Sequence, residues 1–138
     1  MQRIRAFVSY SPEDRELGTQ VVKTLADLGL NPVTEDRIRP GSPFTDAIKT
    51  KITDTNLFVP LITDVAARRP WVYQEIGYAM GQGVPVLPLA TASIPGEMIW
   101  SLEAITLGET PSAAEIKACL ENVDFDGIMS SPPEPPEG

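Results

Sequence analysis

Three side chains in the middle of the chain, Trp71, Glu75 and Tyr78, recur at spacings of four and three residues. The apolar periodicity around them predicts a helix, and on a helix these three side chains share one face. A carboxylate beside aromatic rings suits the stabilisation of positive charge that develops on a sugar carbon, or the binding of a ribose hydroxyl. The alternative is that Glu75 is a surface residue, or that it pairs with Arg68 or Arg69.

The residue types that the chain lacks narrow its chemistry. Histidine is absent and Cys119 is the single cysteine, which excludes Ser-His-Asp and Cys-His catalysis and a structural zinc site; no metal site is predicted. Cys119 occupies an apolar helical position, so we expect a buried thiol in a reducing compartment. The chain has neither a GxGxxG fingerprint nor a P-loop. Its chemistry must therefore use carboxylates, hydroxyls, lysine or backbone dipoles.

The charge and hydropathy of the chain limit its partners. The formal net charge is -8 and no basic stripe offsets it, so nucleic acid is not an expected partner. The sequence has neither the apolar run of a membrane span nor the start of a signal peptide, which predicts a cytoplasmic protein without a membrane partner.

Short runs rich in β-formers alternate with amphipathic segments along the chain. The predicted strands cover residues 4–10, 31–34, 57–62, 84–89 and 104–107, and the predicted helices cover residues 12–28, 45–54, 71–82 and 113–123. This alternation predicts an α/β fold of three layers: a mostly parallel five-stranded sheet, flanked by helices, with a flavodoxin-like strand order.

Two of the helices carry capping signals. Ser11 is the predicted N-cap of the first helix, with Asp14 at the position of a capping-box acid, and Ser112 with Glu115 forms a second capping box. Gly29 is the expected end of the first helix.

In such a sheet, ligands bind in the crevice beyond the carboxyl ends of the strands. Residues 9–11, the loop 35–44 and the start of the helix at Trp71 should meet there. Pro40-Gly41 predicts a turn in the loop, and its arginines could contact phosphates; an ordinary solvated loop is the alternative.

We assign residues 1–125 to one domain and residues 126–138, which end in SSPPEPPEG, to a disordered Pro-rich tail or linker.

Four segments in this order resemble TIR (Toll/interleukin-1 receptor) domains. FVSYSPEDRELGTQVVKTLADLG is similar to the opening strand and helix of that family, and RPGSPF is similar to its BB loop. NLFVPLITDVAARRPWVYQEIGYAM resembles the third strand and the following Trp-x-x-x-Glu helix, and VPVLPL resembles the next strand. The resemblance covers residues 3 to about 123.

The resemblance implies that the chain is an NAD⁺ glycohydrolase of the prokaryotic type. It would cleave the nicotinamide–ribose bond to give nicotinamide and ADP-ribose or a cyclic ADP-ribose isomer. NAD⁺ would be the substrate, no cofactor is implied, and Glu75 corresponds to the catalytic glutamate of the family. The implied substrate-contacting residues are Phe7, Ser9, Tyr10 and Ser11 at the nicotinamide end, Asp36, Arg39, Gly41 and Phe44 in the covering loop, and Trp71 beside the glutamate.

The family also implies self-association, as a homo-oligomer or filament when active, and a role in antiviral defence. Two features depart from the pattern. Ser11-Pro12 stands where some animal members have arginine, and Trp100 is the candidate for the aromatic that those members have near the exit of the fourth strand, without a direct match in the sequence. One rival interpretation is a non-catalytic TIR–TIR adaptor module, although adaptors commonly lack the helix glutamate. Another is a nucleoside deoxyribosyltransferase, for which the sequence has no separate signature.

Overall fold

A five-stranded parallel sheet forms the centre of the protein. The computed structural model describes residues 4–34, 46–91, 105–108 and 110–130. The strands lie side by side in the order β2-β1-β3-β4-β5, which confirms the predicted flavodoxin-like fold. Their bounds are β1 Arg5–Ser9, β2 Asn31–Thr34, β3 Leu57–Ile62, β4 Leu89–Ala90 and β5 Ile105–Thr106.

Helices cover both faces of the sheet. Short 3-10 turns, Pro12–Asp14 and Ala66–Arg68, precede the first and third of them. The helices are α1 Arg15–Asp27, α2 Asp46–Thr53, α3 Pro70–Gly81, α4 Ala113–Glu121 and α5 Phe125–Ser130.

The sheet separates two hydrophobic clusters because successive side chains of a strand point to opposite faces. In β1, Phe7 joins the cluster that contains α2 and α3, while Ala6 and Val8 join the cluster that contains α1 and α4. Every residue of β3 is buried, as expected for a strand covered on both faces. The side of the sheet that carries the first cluster is called the α2/α3 face, and the side that carries the second is called the α1/α4 face.

The carboxyl ends of β1 and β3 lie next to each other at one edge of the sheet, since Ser9 is paired with Pro60 in parallel register. The chain leaves β1 toward α1 on one face and leaves β3 toward α3 on the other. This is the point at which α/β sheets open a crevice for ligands.

The fourth strand is shorter than the predicted 84–89. Pro85 and Pro88 have no backbone N–H to donate, so they interrupt the ladder. Val86 makes an isolated bridge with Phe58, and regular pairing is limited to Leu89–Ala90.

The first helix does not begin with the predicted cap. The Ser11 side chain makes no capping hydrogen bond; a 3-10 turn follows it, and α1 starts at Arg15. Gly29 ends the helix with a φ of 94°, as predicted. The second capping box is confirmed: the Glu115 N–H donates to Ser112 Oγ and the Ser112 N–H donates to Glu115 Oε1, both at 3.2 Å.

The segment that the sequence assigns to a tail, residues 126–138, is described only as far as residue 130. Residues Phe125–Ser130 form α5, and Phe125, Ile128 and Met129 pack partly buried against the α1/α4 cluster. These apolar side chains bury hydrophobic surface against the cluster. Residues 131–138 lie outside the described ranges, so the tail assigned there stays a prediction. Cys119 is half-buried rather than buried, with its Sγ 3.9 Å from the Thr106 carbonyl oxygen.

No helix within the described ranges is long and apolar enough to cross a membrane. The same ranges contain no group of three or more His, Cys, Asp or Glu side chains placed to hold a metal ion.

Candidate functional site

Glu75 is a buried acid at the carboxyl edge of the sheet. It lies in the second turn of α3 and is 1% exposed, and its Oε1 accepts a 2.9 Å hydrogen bond from the Oγ of Ser9, the last residue of β1. Ser9 is itself 4% exposed. Burial of a carboxylate costs free energy unless the group is hydrogen-bonded. The hydrogen bond from Ser9 therefore holds Glu75 in place and compensates part of its lost hydration.

Two periodicities bring these residues together. Strand alternation places Ser9 on the same face as Phe7, which is the α2/α3 face. The helical repeat turns Val72, Ile76 and Ala79 into the same cluster, so α3 lies over this face. Glu75 thus meets the end of β1 rather than solvent.

The two arginines before α3 have other partners, so the alternative interpretation of Glu75 is wrong. Arg69 Nη2 lies 2.8 Å from Glu13 Oε1, and Arg68 Nε donates to the Asp64 carbonyl oxygen at 3.2 Å. Glu75 is neither exposed nor paired with either of them.

The aromatic neighbours of Glu75 are packed differently from one another. Trp71 is 6% exposed and belongs to the α2/α3 cluster. Tyr78 is half-buried against that cluster, and its hydroxyl lies 3.2 Å from Thr53 Oγ1 in α2. Trp71 is therefore the aromatic ring one turn before the acid, while Tyr78 ties α3 to α2.

The residues at the carboxyl end of β1 and directly after it separate onto the two faces of the sheet. Phe7 packs against Phe58 with ring centroids 5.7 Å apart, on the face of Glu75. Tyr10 packs against the α1/α4 cluster instead and lies over Gly18 of α1. The structure therefore brings Ser9 to Glu75, and it places the Tyr10 ring on the opposite face.

Ser11 carries an unsatisfied hydroxyl. The residue is fully buried, and its Oγ has no hydrogen-bond partner among the described residues. Buried polar atoms are normally hydrogen-bonded, so an orphan of this kind next to a ligand crevice calls for an explanation.

Asp14 is a second acid at the carboxyl edge of the sheet, and the sequence did not predict it as a site residue. Thr63, directly after β3, donates a 2.7 Å hydrogen bond to Asp14 Oδ2 in the 3-10 turn after β1. Burial raises the pKa of Asp14, and Glu13 adds to this, while the Thr63 hydrogen bond and Arg69 oppose it. Convergence of the two strand ends was the signal that could have paired Asp14 with Thr63.

Glu75 does not line either of two cavities whose walls consist of described residues. One of about 570 Å³ lies between α1 and the start of α4, where Glu13, Asp14, Glu16 and Asp64 make it acidic. Because like charges repel, this cavity is a poor place for a pyrophosphate. The other, of about 310 Å³, lies between β1, β2 and α2.

Some predicted site residues lie outside the described ranges, so their placement is not given. They are Asp36, Arg39, Gly41 and Phe44 of the loop after β2, and Trp100.

Comparison with known families defines the class of protein. A family model described as "TIR domain" matches residues 6–121. This match covers most of the sequence, and the chain belongs to the TIR domain family. No match is found among curated proteins.

Solved structures with similar folds include both TIR domains and nucleotide-related proteins. The CMP N-glycosidase BcmB of Clostridium botulinum superposes with a TM-score of 0.60 at 15% identity, over 86% of this chain and 99% of that one. The TIR domains of the activated Roq1 resistosome give 0.54 at 14% identity, over 92% and 78%. A diflavin flavoprotein from Nostoc sp. gives 0.56 at 14% identity, over 86% and 88%. At these identities the likeness concerns the fold alone.

Proposed function

We propose that this TIR domain is an NAD⁺ glycohydrolase in which Glu75 is the catalytic residue. The observation that carries the proposal is a glutamate 1% exposed, hydrogen-bonded to Ser9, at the carboxyl edge of a parallel sheet. An acid in that position lies where the fold binds ligands.

The chemistry needs one well-placed negative charge. As the bond between the ribose C1′ and the nicotinamide nitrogen breaks, the electron pair leaves with nicotinamide and positive charge develops on the sugar. The Glu75 carboxylate stabilises that charge and holds the ribose. Water then adds to C1′ and loses a proton to give ADP-ribose, or an adenine nitrogen of the same molecule attacks to give a cyclic isomer. NAD⁺ is the substrate, and the step requires no further cofactor.

Burial makes the carboxylate more effective in this role. Charge–charge interactions are stronger where water is excluded, and a preorganised acid needs little rearrangement during the reaction. Because Glu75 is almost inaccessible, the side chains that cover it must move before a ribose can reach it. Trp71 lies one turn before Glu75 on the same helix and would wall the sugar on that side.

The remaining substrate contacts belong to the same proposal. The buried hydroxyl of Ser11, which has no partner within the described ranges, would gain one from a polar group of the substrate. Phe7 would flank the end of β1 at the nicotinamide side, whereas the Tyr10 ring packs on the opposite face of the sheet and is not part of this contact. Asp36, Arg39, Gly41 and Phe44 would cover the bound dinucleotide.

The comparisons support this proposal indirectly. The TIR family includes NAD-cleaving enzymes, and the structural neighbour BcmB is described as an N-glycosidase that acts on CMP. Both chemistries break a bond between a ribose carbon and a base nitrogen. CMP is accordingly a useful second substrate for comparison.

The test is product analysis after incubation with NAD⁺, with chromatography that separates ADP-ribose from its cyclic isomers. The wild type should release nicotinamide, and Glu75→Gln should lower the rate by at least about a hundredfold, as loss of a key electrostatic contact does. Glu121→Gln, the same change at an exposed position at the end of α4, should leave the rate unchanged.

Folding of Glu75→Gln is checked by circular dichroism, so that loss of activity is not loss of structure. Absence of nicotinamide release from concentrated and crowded wild-type samples would reject the enzyme and leave a TIR–TIR adaptor. The cellular side of the proposal is a cytoplasmic, self-associating protein that depletes or converts NAD⁺ in prokaryotic antiviral defence.

A further inference from the structure

The hydrogen bond between Ser9 and Glu75 links positions 66 residues apart. Both residues are buried, at 4% and 1% exposure. The sequence suggested that Ser9 contacts the substrate directly, but its side chain is engaged with the acid.

A serine hydroxyl has a single hydrogen to donate. In this structure Ser9 donates it to Glu75 Oε1 at 2.9 Å, so the same hydrogen is not available to a substrate. The hydroxyl keeps its acceptor capacity, but a carboxylate partner has only acceptors. Ser9 is therefore the donor in this pair whenever the acid is ionised.

Ser9 is also the more rigid partner. It is paired in the β1–β3 ladder opposite Pro60, and a serine side chain has one heavy-atom torsion. Glu75 has three side-chain torsions and projects from a helix. A short, fixed donor that contacts one oxygen of a longer acid helps to determine where the carboxylate group lies.

We propose that Ser9 is a positioning residue, which holds Oε1 of Glu75 so that the carboxylate is oriented for the sugar before the substrate arrives. This inference rests on the proposed function, because it concerns how the catalytic acid of that reaction is placed. Ser9 acts through Glu75 and does not need to touch the dinucleotide.

The first arm of the test compares Ser9→Ala and Ser9→Thr with the wild type in steady-state NAD⁺ cleavage. Ser9→Ala should lower kcat about ten- to a hundredfold, as misplacement of a catalytic group does, and leave KM unchanged. Ser9→Thr keeps the hydroxyl on a β-branched residue that suits a strand, so it should recover most of kcat.

Thr24→Val is the matched control. It also removes a buried hydroxyl, one that bonds the Gln20 carbonyl oxygen within α1 on the other face of the sheet. It should leave kcat and KM as in the wild type. A rise in KM without a loss of kcat in Ser9→Ala would identify Ser9 as a substrate contact and overturn the inference, as would an unchanged kcat or an equal loss in Thr24→Val.

A second arm does not depend on activity and covers the case in which Ser9→Thr is too large to fold. The melting temperatures of Ser9→Ala, Glu75→Ala and the double variant are compared, because alanine removes the acceptor that glutamine would keep. Direct contact predicts that the double variant loses less than the sum of the single losses; strict additivity would overturn the pairing.

The two arms separate the inference from the function. An inactive wild type would reject NAD⁺ cleavage, whatever the melting temperatures show. An active wild type with inactive Glu75→Gln and fully active Ser9→Ala would keep the function and reject the role of Ser9.

Discussion

Glu75 occupies a helix position that an apolar residue would fill at lower cost. Its neighbours in α3, Val72, Ile76 and Ala79, are buried in the α2/α3 cluster, and a carboxyl group among them loses hydration. The hydrogen bond from Ser9 compensates part of this loss. Such a local conflict between burial and residue type is characteristic of functional positions.

Gly18 is the residue that allows Tyr10 to turn away from Glu75. A Cβ atom added at Gly18 would lie 2.5 Å from two atoms of the Tyr10 ring, closer than non-bonded carbons approach. The ring packs on the bare backbone of α1 at this point. Because Tyr10 follows Ser9 directly, the glycine helps to determine the course of the chain at the end of β1.

We expect Gly18→Ala to destabilise the protein. Relief of the overlap requires the Tyr10 ring or α1 to shift, and overpacking of this kind costs about 1–3 kcal/mol, more than the roughly 1 kcal/mol that alanine gains over glycine in a helix. The free energy of unfolding in urea measures the difference.

Gly81→Ala is the matched control for this change. Gly81 ends α3, and an added Cβ there meets no atom within 4 Å. It should leave stability equal or raise it. Equal stability of Gly18→Ala and the wild type would contradict the packing argument.

Two side-chain contacts connect the 3-10 turn after β1 to the segment between β3 and α3. Thr63 donates to Asp14, and Arg69, directly before α3, pairs with Glu13. Both contacts join the chain segments whose neighbours are Ser9 and Glu75. The start of α3 is thereby tied to the end of β1 from outside the hydrophobic core.

The raised pKa of Asp14 predicts a pH dependence of stability. Its ordinary value is 3.8, and burial raises the pKa in the fold, so the folded state favours the protonated acid. Its contribution to stability is full below 3.8 and is lost as the pH rises through the folded pKa. Relative to Asp14→Asn, which does not titrate, the wild type should therefore lose stability across this window and stay level above it.

The measurement is urea unfolding of both proteins from about pH 3.5 to 7 at constant ionic strength. Asp27→Asn, which changes an exposed acid at the end of α1, serves as the control. Its free energy of unfolding should vary with pH more nearly as that of the wild type does than that of Asp14→Asn. A difference between the wild type and Asp14→Asn that grows in favour of the wild type with rising pH would contradict the assigned direction.

The whole molecule is a strongly acidic α/β domain, with a formal net charge of -8. Like charges oppose the approach of two copies, and salt screens such repulsion over a Debye length of about 8–10 Å at roughly 0.1–0.15 M. Self-association, proposed here from membership of the TIR family, should then be limited by this charge.

Raising the salt from about 20 to about 300 mM should promote association at constant protein concentration. If self-association activates the enzyme, nicotinamide release per molecule should rise with it. Light scattering and the NAD⁺ assay are run on the same samples, with Glu75→Gln as a variant that associates without releasing nicotinamide. A constant mass with constant specific activity over the whole range would reject the link.

The sequence predicted the elements well where a local pattern decides them. The buried strand Leu57–Ile62, the capped helix after Ser112 and the helical stop at Gly29 all appear as expected. Predictions failed where a local signal met a competing constraint. The prolines shortened β4, and Ser11, although a good capping residue by type, became buried without making the cap.

The site was predictable in part. Spacing alone placed Glu75 one turn after Trp71 on a helix whose apolar stripe faces the sheet. Strand alternation could also have separated Ser9 from Tyr10, since neighbouring residues of a strand point to opposite faces. Neither pattern shows which side chain Glu75 contacts in the folded protein.

The sequence by itself determined the alternation of strands and helices, hence the parallel sheet, and the position of an acid near the start of its third long helix, because these follow from short-range periodicity. The tertiary structure decided that this acid is buried, that Ser9 rather than an arginine contacts it, and that Asp14 meets Thr63. These contacts join residues 66 and 49 positions apart, and such pairs form only when the order of strands brings their carboxyl ends to one edge of the sheet.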